Sequence, residues 1–212
     1  MVTLLAAFIF RAEANEPMRL VFLGDSLTSG YTLDADLAYP GLIQQRINAA
    51  GLPFTVINSG VSADTTAGGL SRLDWLLRQP MDVLVVALGA NDGLRGFDPS
   101  IPEKNLRAII EKTRASQPDC LIKLIGMKLP RNMGDAYVEK FERIYFDISM
   151  TYGVELLPFL LEGVAGDPNL NMPDGIHPLP EGHRIMAENI WNFLEPSLTR
   201  LAKERKAPPI EE

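Results

Sequence analysis

The sequence predicts an α/β fold: a three-layer α/β/α sandwich, flavodoxin-like, built on a five-stranded parallel sheet. Three observations carry this. Five short apolar runs alternate with segments of helical period. The third run, Val83-Leu84-Val85-Val86-Ala87-Leu88, is apolar on both faces, as a central parallel strand must be. Polar clusters containing glycine follow each of the first three runs directly. Strand–helix alternation repeated in this way means right-handed crossovers and a sheet covered on both sides.

In chain order, Leu20-Val21-Phe22-Leu23 reads as the first strand and Thr55-Val56-Ile57 as the second. The stripe Leu42, Ile43, Ile47 and Ala50 marks a helix between them, and Leu70, Leu73 and Leu77 mark the next helix. Leu106, Ile109, Ile110 and Thr113 follow the i, i+3, i+4, i+7 pattern ahead of the fourth strand, Leu121-Ile122-Lys123-Leu124-Ile125. Tyr137, Phe141, Ile144, Tyr145 and Ile148 precede the fifth, Val154-Glu155-Leu156-Leu157. Charged residues inside these last two strands place them nearer the sheet edge. A final helix carries Ile185, Met186, Ile190, Phe193 and Leu194.

A length of 212 residues suffices for one domain with a single core. Composition is that of a soluble globule, 46% hydrophobic and 22% charged. Lys and Arg number 20 against 27 Asp and Glu. The net charge of −7 argues against nucleic acid as a partner, since such a partner needs a basic face. The single cysteine, Cys120, excludes an internal disulfide; it opens an apolar run and reads as a small buried hydrophobe. Two histidines, with no CxxC or HxxxH spacing, make a poor metal-ligand supply, so neither metal nor cofactor is expected.

The expected organisation has three parts: 1–16 as a signal-peptide remnant or N-terminal extension, 17–200 as the folded domain, and 201–212 as a frayed tail. Val2 to Phe10 is apolar, and an A-x-A pattern follows at Ala12 and Ala14. This resembles the core and cleavage site of a secretory signal, which predicts a periplasmic or secreted protein. The basic n-region is missing. If the segment is not a signal, it docks on the domain and the protein is cytoplasmic. It is too short to span a bilayer, which takes about 20 apolar residues, so no integral membrane span is expected.

Ligands of open parallel sheets bind outside the carboxyl ends of the strands. Gly24-Asp25-Ser26 follows the first strand, Asn58 to Thr65 the second, and Gly89-Ala90-Asn91-Asp92-Gly93 the third; Asp174 to His177 precedes the last helix. Four segments remote in sequence therefore converge on one rim. Ser26, on a tight turn after Gly24, can project a hydroxyl above the sheet. Alone, the same residue is equally a helix cap or turn former. Gly24 and Gly30 lack the spacing of a nucleotide loop, and no P-loop lysine follows. Asp174 and His177, separated by Gly175 and Ile176, can sit side by side with the carboxylate on Nδ1 and Nε2 facing the serine. His183 is the competing base, but it falls in the last helix and reads as a helix-start or core histidine. Asn91 offers a carboxamide donor for an oxyanion, or else an Asx-turn closing the strand.

Together these stretches resemble the SGNH-hydrolase (GDSL esterase/lipase) superfamily, in particular the bacterial multifunctional thioesterase/lysophospholipase/arylesterase enzymes. Gly24 to Tyr31 matches the first block, Gly89 to Gly96 the third and Asp174 to Pro178 the last. The resemblance runs from about Leu20 to Leu194. It implies the strand order 2-1-3-4-5, Ser26 as nucleophile, His177 as general base then acid, and Asp174 as orienter. It also implies an oxyanion hole made by the Ser26 N–H, a backbone N–H of the second block and the Asn91 side chain. The second block departs from the pattern: Ala63 stands where glycine is usual. Ala63 can serve if its φ is negative; a positive φ would cost about 1 kcal/mol or more. Gly60 is the lesser candidate.

The expected activity is hydrolysis of small-molecule acyl esters or thioesters through an acyl-enzyme. Leu, Phe and Met in Lys128 to Gly134 and in Pro158 to Pro173 favour a fatty acyl chain, unless they simply cover the core. The rival readings are a carbohydrate O-deacetylase of the same superfamily and a non-catalytic flavodoxin-like binding module. Oligomeric state is not legible in the sequence.

Overall fold

Each apolar run becomes a strand and each stripe a helix in the computed structural model, which describes residues 16–206. The strands are β1 (Met18–Gly24), β2 (Phe54–Gly60), β3 (Val83–Ala87), β4 (Leu121–Ile125) and β5 (Glu155–Leu157). They form one sheet in the order β2-β1-β3-β4-β5, every pair parallel. The long helices are α2 (Tyr39–Ala49), α3 (Thr66–Leu76), α5 (Ser100–Ser116), α6 (Asp135–Tyr152) and α7 (Pro180–Lys206). α2 packs on α7, and α3 packs on α5, which meets α6. Two helical layers thus enclose the sheet. β3 is buried at every residue, as its unbroken apolar run requires.

Two short helices were not legible in the pattern: α1 (Ser26–Ser29) and α4 (Ala90–Leu94). One turn of helix is too short to show an apolar period, so only the assembled rim reveals them. α7 continues through Lys206, into the stretch expected to fray, because Leu198 and Ala202 are buried against the core. The expected export segment and residues 207–212 lie outside the described residues.

Lys123 does not sit at a solvated edge. β4 has a neighbour on each side, and the Lys123 side chain is fully buried. Its Nζ donates to Ser197 Oγ at 2.8 Å, lies 2.6 Å from Glu155 Oε2, and stands 4.7 Å from the Phe193 ring centre. A buried ammonium survives only with such partners. Cys120 is also buried, and burial pushes its thiol up to about 12, far from a reactive thiolate.

Candidate active site

Register brings the site together. Gly24, the last residue of β1, pairs with Gly60 of β2 and Ala87 of β3. The three following loops therefore leave the sheet at one level. Gly24 is required by close approach: a Cβ there would fall 1.9 Å from Thr28 Oγ1 and 3.0 Å from the Ala87 carbonyl. That closeness lets α1 turn back immediately, with Ser26 as its first residue. Asp25 caps the turn by accepting the Leu27 N–H at 3.0 Å. The cap is therefore Asp25, and Ser26 is the first residue of the turn rather than its cap.

Asp25 is 2% exposed, and burial pushes its carboxyl up to about 7, with the nearby Asp64 adding to the rise. The Leu27 N–H and His177 act in the opposite direction.

The opposite wall is a small hairpin between β5 and α7. Asn171 and Pro178 form an antiparallel bridge, with the Met172 N–H donating to the His177 carbonyl at 2.8 Å. Asn171 anchors the hairpin from beneath, its buried amide donating to the Val164 and Asp167 carbonyls at 2.7 and 2.8 Å. At the tip, Asp174 Oδ1 accepts the N–H groups of Ile176 and His177 at 2.9 and 3.0 Å. Its Oδ2 lies 2.7 Å from His177 Nδ1. These bonds, the His177 ring first, pull the Asp174 carboxyl down to about 2, so it is ionised at neutral pH.

His177 Nε2 lies 3.0 Å from Ser26 Oγ, across 151 residues of sequence. With Nδ1–H directed at Asp174, Nε2 is the acceptor for the serine hydroxyl. The Tyr31 ring, at the end of the first block, lies against the imidazole with centroids 4.5 Å apart. The rival base is placed elsewhere: His183 is 1% exposed inside α7, and its Nδ1 accepts the Tyr39 N–H at 3.1 Å. It satisfies a helix start that has no side-chain cap. Burial, and then the charge of His177, hold it down at about 4.

The second block supplies the surprise. Ala63 adopts φ +63°, the left-handed region that an L-residue enters at about 1–2 kcal/mol. The condition for an unstrained Ala63 is therefore not met. Its N–H nevertheless takes no acceptor among the described residues. Gly60 is placed differently, since its N–H already donates to Asn58 Oδ1 at 2.9 Å. A Cβ on Gly60 would also fall 2.2 Å from the Ser29 nitrogen, so this glycine serves the packing of α1 against β2.

Asn91 lies in α4 rather than in an Asx-turn. One of its amide hydrogens goes to the Asp64 carbonyl at 2.9 Å, leaving the second for another acceptor. Below it, Asp92 is fully buried and receives the Thr66 N–H and hydroxyl at 2.9 and 2.6 Å, tying α4 to α3.

A hydroxyl, an imidazole and a carboxylate in line at the rim of a parallel sheet, beside unspent N–H donors, define the class: this is a carboxylic ester hydrolase. Residues 22–185 match the profile of the GDSL-like Lipase/Acylhydrolase family, and the chain belongs to it. It is 37% identical over 193 residues to the Esterase TesA of Pseudomonas aeruginosa, covering 91% of this chain and 95% of that protein. It is 39% identical over 194 residues to the Thioesterase 1/protease 1/lysophospholipase L1 of Escherichia coli K12, covering 91% and 89% respectively. A crystal structure of TesA superposes with a TM-score of 0.81, at 37% identity, over 84% of this chain and 99% of that one.

The contact of Tyr31 with the imidazole is not legible in the sequence. Tyr31 stood inside a recognised block, and nothing local says which ring it faces.

Proposed function

We propose that Ser26, His177 and Asp174 form the catalytic triad of a serine esterase that cleaves carboxylic esters and thioesters through an acyl-enzyme. The observation that carries this reading is the 3.0 Å contact between Ser26 Oγ and His177 Nε2. Ser26 attacks the carbonyl carbon while His177 accepts its proton at Nε2, and ionised Asp174 stabilises the imidazolium from Nδ1. The oxyanion is held by the Ser26 N–H, the Ala63 N–H and the free amide hydrogen of Asn91. The Ser26 N–H is available because the first residue of a helix has no preceding turn to bond. His177 then returns the proton to the leaving alcohol or thiol. Water, deprotonated by the same imidazole, cleaves the acyl-enzyme. No cofactor enters these steps.

The acyl group is a fatty chain rather than a sugar acetate, and the enzyme belongs to lipid metabolism. Leu129 and Leu160, in the loops expected to wall a channel, are core residues and do not support this. Support comes from the rim itself. Tyr31, Val61, Leu94 and Ile176 are large exposed apolar side chains, one on each of the four blocks at the rim, and exposed Phe97 directly follows the third block. Apolar surface grouped around a polar reaction centre fits a hydrocarbon substrate. The apolar run and A-x-A pattern at the start of the chain support a periplasmic or secreted location.

A fluorophosphonate probe and p-nitrophenyl esters from C2 to C12 test the reading. The wild-type serine should be labelled, with kcat/KM rising toward the longer chains. Ser26→Ala should fold normally and lose nearly all turnover. Undiminished hydrolysis by Ser26→Ala sinks the nucleophile assignment, and a maximum at C2 returns the choice to an O-deacetylase.

A further inference from the structure

The loop that bears Ala63 has no regular structure to hold its strained backbone, yet several polar contacts converge on it. Asp64 donates its N–H to the Val61 carbonyl at 3.1 Å. The Asp64 carbonyl accepts from Asn91, and the Ala63 carbonyl accepts from Arg95 at 2.9 Å. One further contact reaches furthest. Arg72, in α3, places Nε 2.8 Å from Asp64 Oδ2 and donates a terminal N–H to the Gly24 carbonyl at 3.0 Å. One guanidinium therefore joins the second block to the residue from which the Ser26 turn departs.

The pair is largely enclosed, with side-chain exposures of 24% for Arg72 and 11% for Asp64. The Asp64 carboxylate also takes the Thr65 N–H at 3.1 Å, and a Cβ at Gly68 would collide with it at 1.6 Å. It is seated, and not free to swing toward water.

We propose that Arg72 is a positioning residue for the oxyanion hole, acting in two ways that rest on the function proposed above. Its fork ties the Asp64 side chain to the Gly24 carbonyl, which restrains the distance from the adjoining Ala63 N–H to the Ser26 turn. Its charge also neutralises Asp64, whose carboxylate belongs to the residue adjoining that N–H. An uncompensated anion there would repel the oxyanion as it develops, in a site where charge interactions are weakly screened. The ground-state ester carries no such charge, so the effect belongs to the transition state.

The test compares Arg72→Met, which keeps the aliphatic stem, with the double variant Arg72→Met/Asp64→Asn, which also removes the unpaired anion. Arg72→Met should lower kcat by about 10- to 100-fold, below the 10²–10³ typical of deleting a donor outright, with KM within about twofold. The double variant should regain at least about fivefold of that loss. A merely structural arginine would show its loss in urea unfolding and leave kcat per probe-titrated active site at the wild-type value. Arg72→Lys keeps the charge but cannot span both acceptors, and should lose roughly three- to tenfold in kcat; it serves if Arg72→Met does not fold. Wild-type kcat in Arg72→Met or Arg72→Lys, or no recovery in the double variant, overturns the proposal. Ser26→Ala run alongside separates the outcomes: if it is inactive while the Arg72 variants behave as wild type, the triad stands and only the role of Arg72 fails.

Discussion

Two aspartates feel the charge of the same imidazole and are shifted in opposite directions. Asp25 stands in the turn after β1, almost fully buried, and its carboxyl is driven up to about 7. Asp174 stands at the tip of a hairpin with 41% of its side chain exposed, and hydrogen bonds draw it down to about 2. The Ser26 side is built from the core outward: β1, the capped turn and α1 all pack into the sheet. The His177 side is built locally, by a hairpin whose bonds run mostly within ten residues of sequence. A change at Asp25 should register in stability, and one at Asp174 chiefly in catalysis.

The largest effect is expected at Asp174→Asn. The amide oxygen can still accept the Ile176 and His177 N–H groups, but its NH₂ faces Nδ1 and imposes the wrong tautomer. A loss of about 10⁴ in kcat is expected on p-nitrophenyl ester assay, the size of the corresponding change in a serine protease. Because the site is exposed, the unfolding free energy should move by no more than about 0.5 kcal/mol. A melting temperature that falls together with activity would break the distinction between the two sides.

Asp25→Asn should do the reverse and reshape stability against pH. The folded pKa of Asp25, about 7, lies above its unfolded value of 3.8. Its contribution is therefore whole below pH 3.8 and is lost as pH rises through 7. Asparagine cannot ionise, so the variant should gain on wild type by roughly 3–4 kcal/mol between pH 4 and pH 8 in urea unfolding. His183 acts in the opposite sense. Its folded pKa of about 4 lies below 6.5, so its contribution is whole above pH 6.5 and lost as pH falls toward 4. The two oppose each other across the same window, which flattens the wild-type profile. Removing Asp25 should expose the acid instability of His183. A constant difference between variant and wild type from pH 4 to pH 8 would refute the account of Asp25.

The smallest effect is expected at Ala63→Gly. Relief of the left-handed strain at φ +63° is partly offset by the greater freedom of glycine in the unfolded chain. A net gain of up to about 1 kcal/mol should appear in urea unfolding. A loss of stability would show that the methyl group makes contacts worth more than the strain.

Much of the site was legible because its residues occur in short contiguous stretches. Asp174 and His177 sit three apart, and Ser26 follows a strand directly. Ala63 was legible as a departure, but not as a strained residue, because its φ follows from contacts made by Arg95, Asn91 and Arg72 at distant positions. Gly60 reads in the sequence as an available donor, but its N–H is taken by Asn58.

By itself the sequence determined the five strands, the long helices and the order in which polar clusters reach the rim. These follow from side-chain periodicity, which is local and written along the chain. Only the tertiary structure decided which aspartate is pushed up and which is drawn down, which histidine is buried, where the Lys123 side chain finds partners and which arginine spans two blocks. Burial and long-range partnership set those outcomes, and neither exists until segments far apart in the chain have packed together.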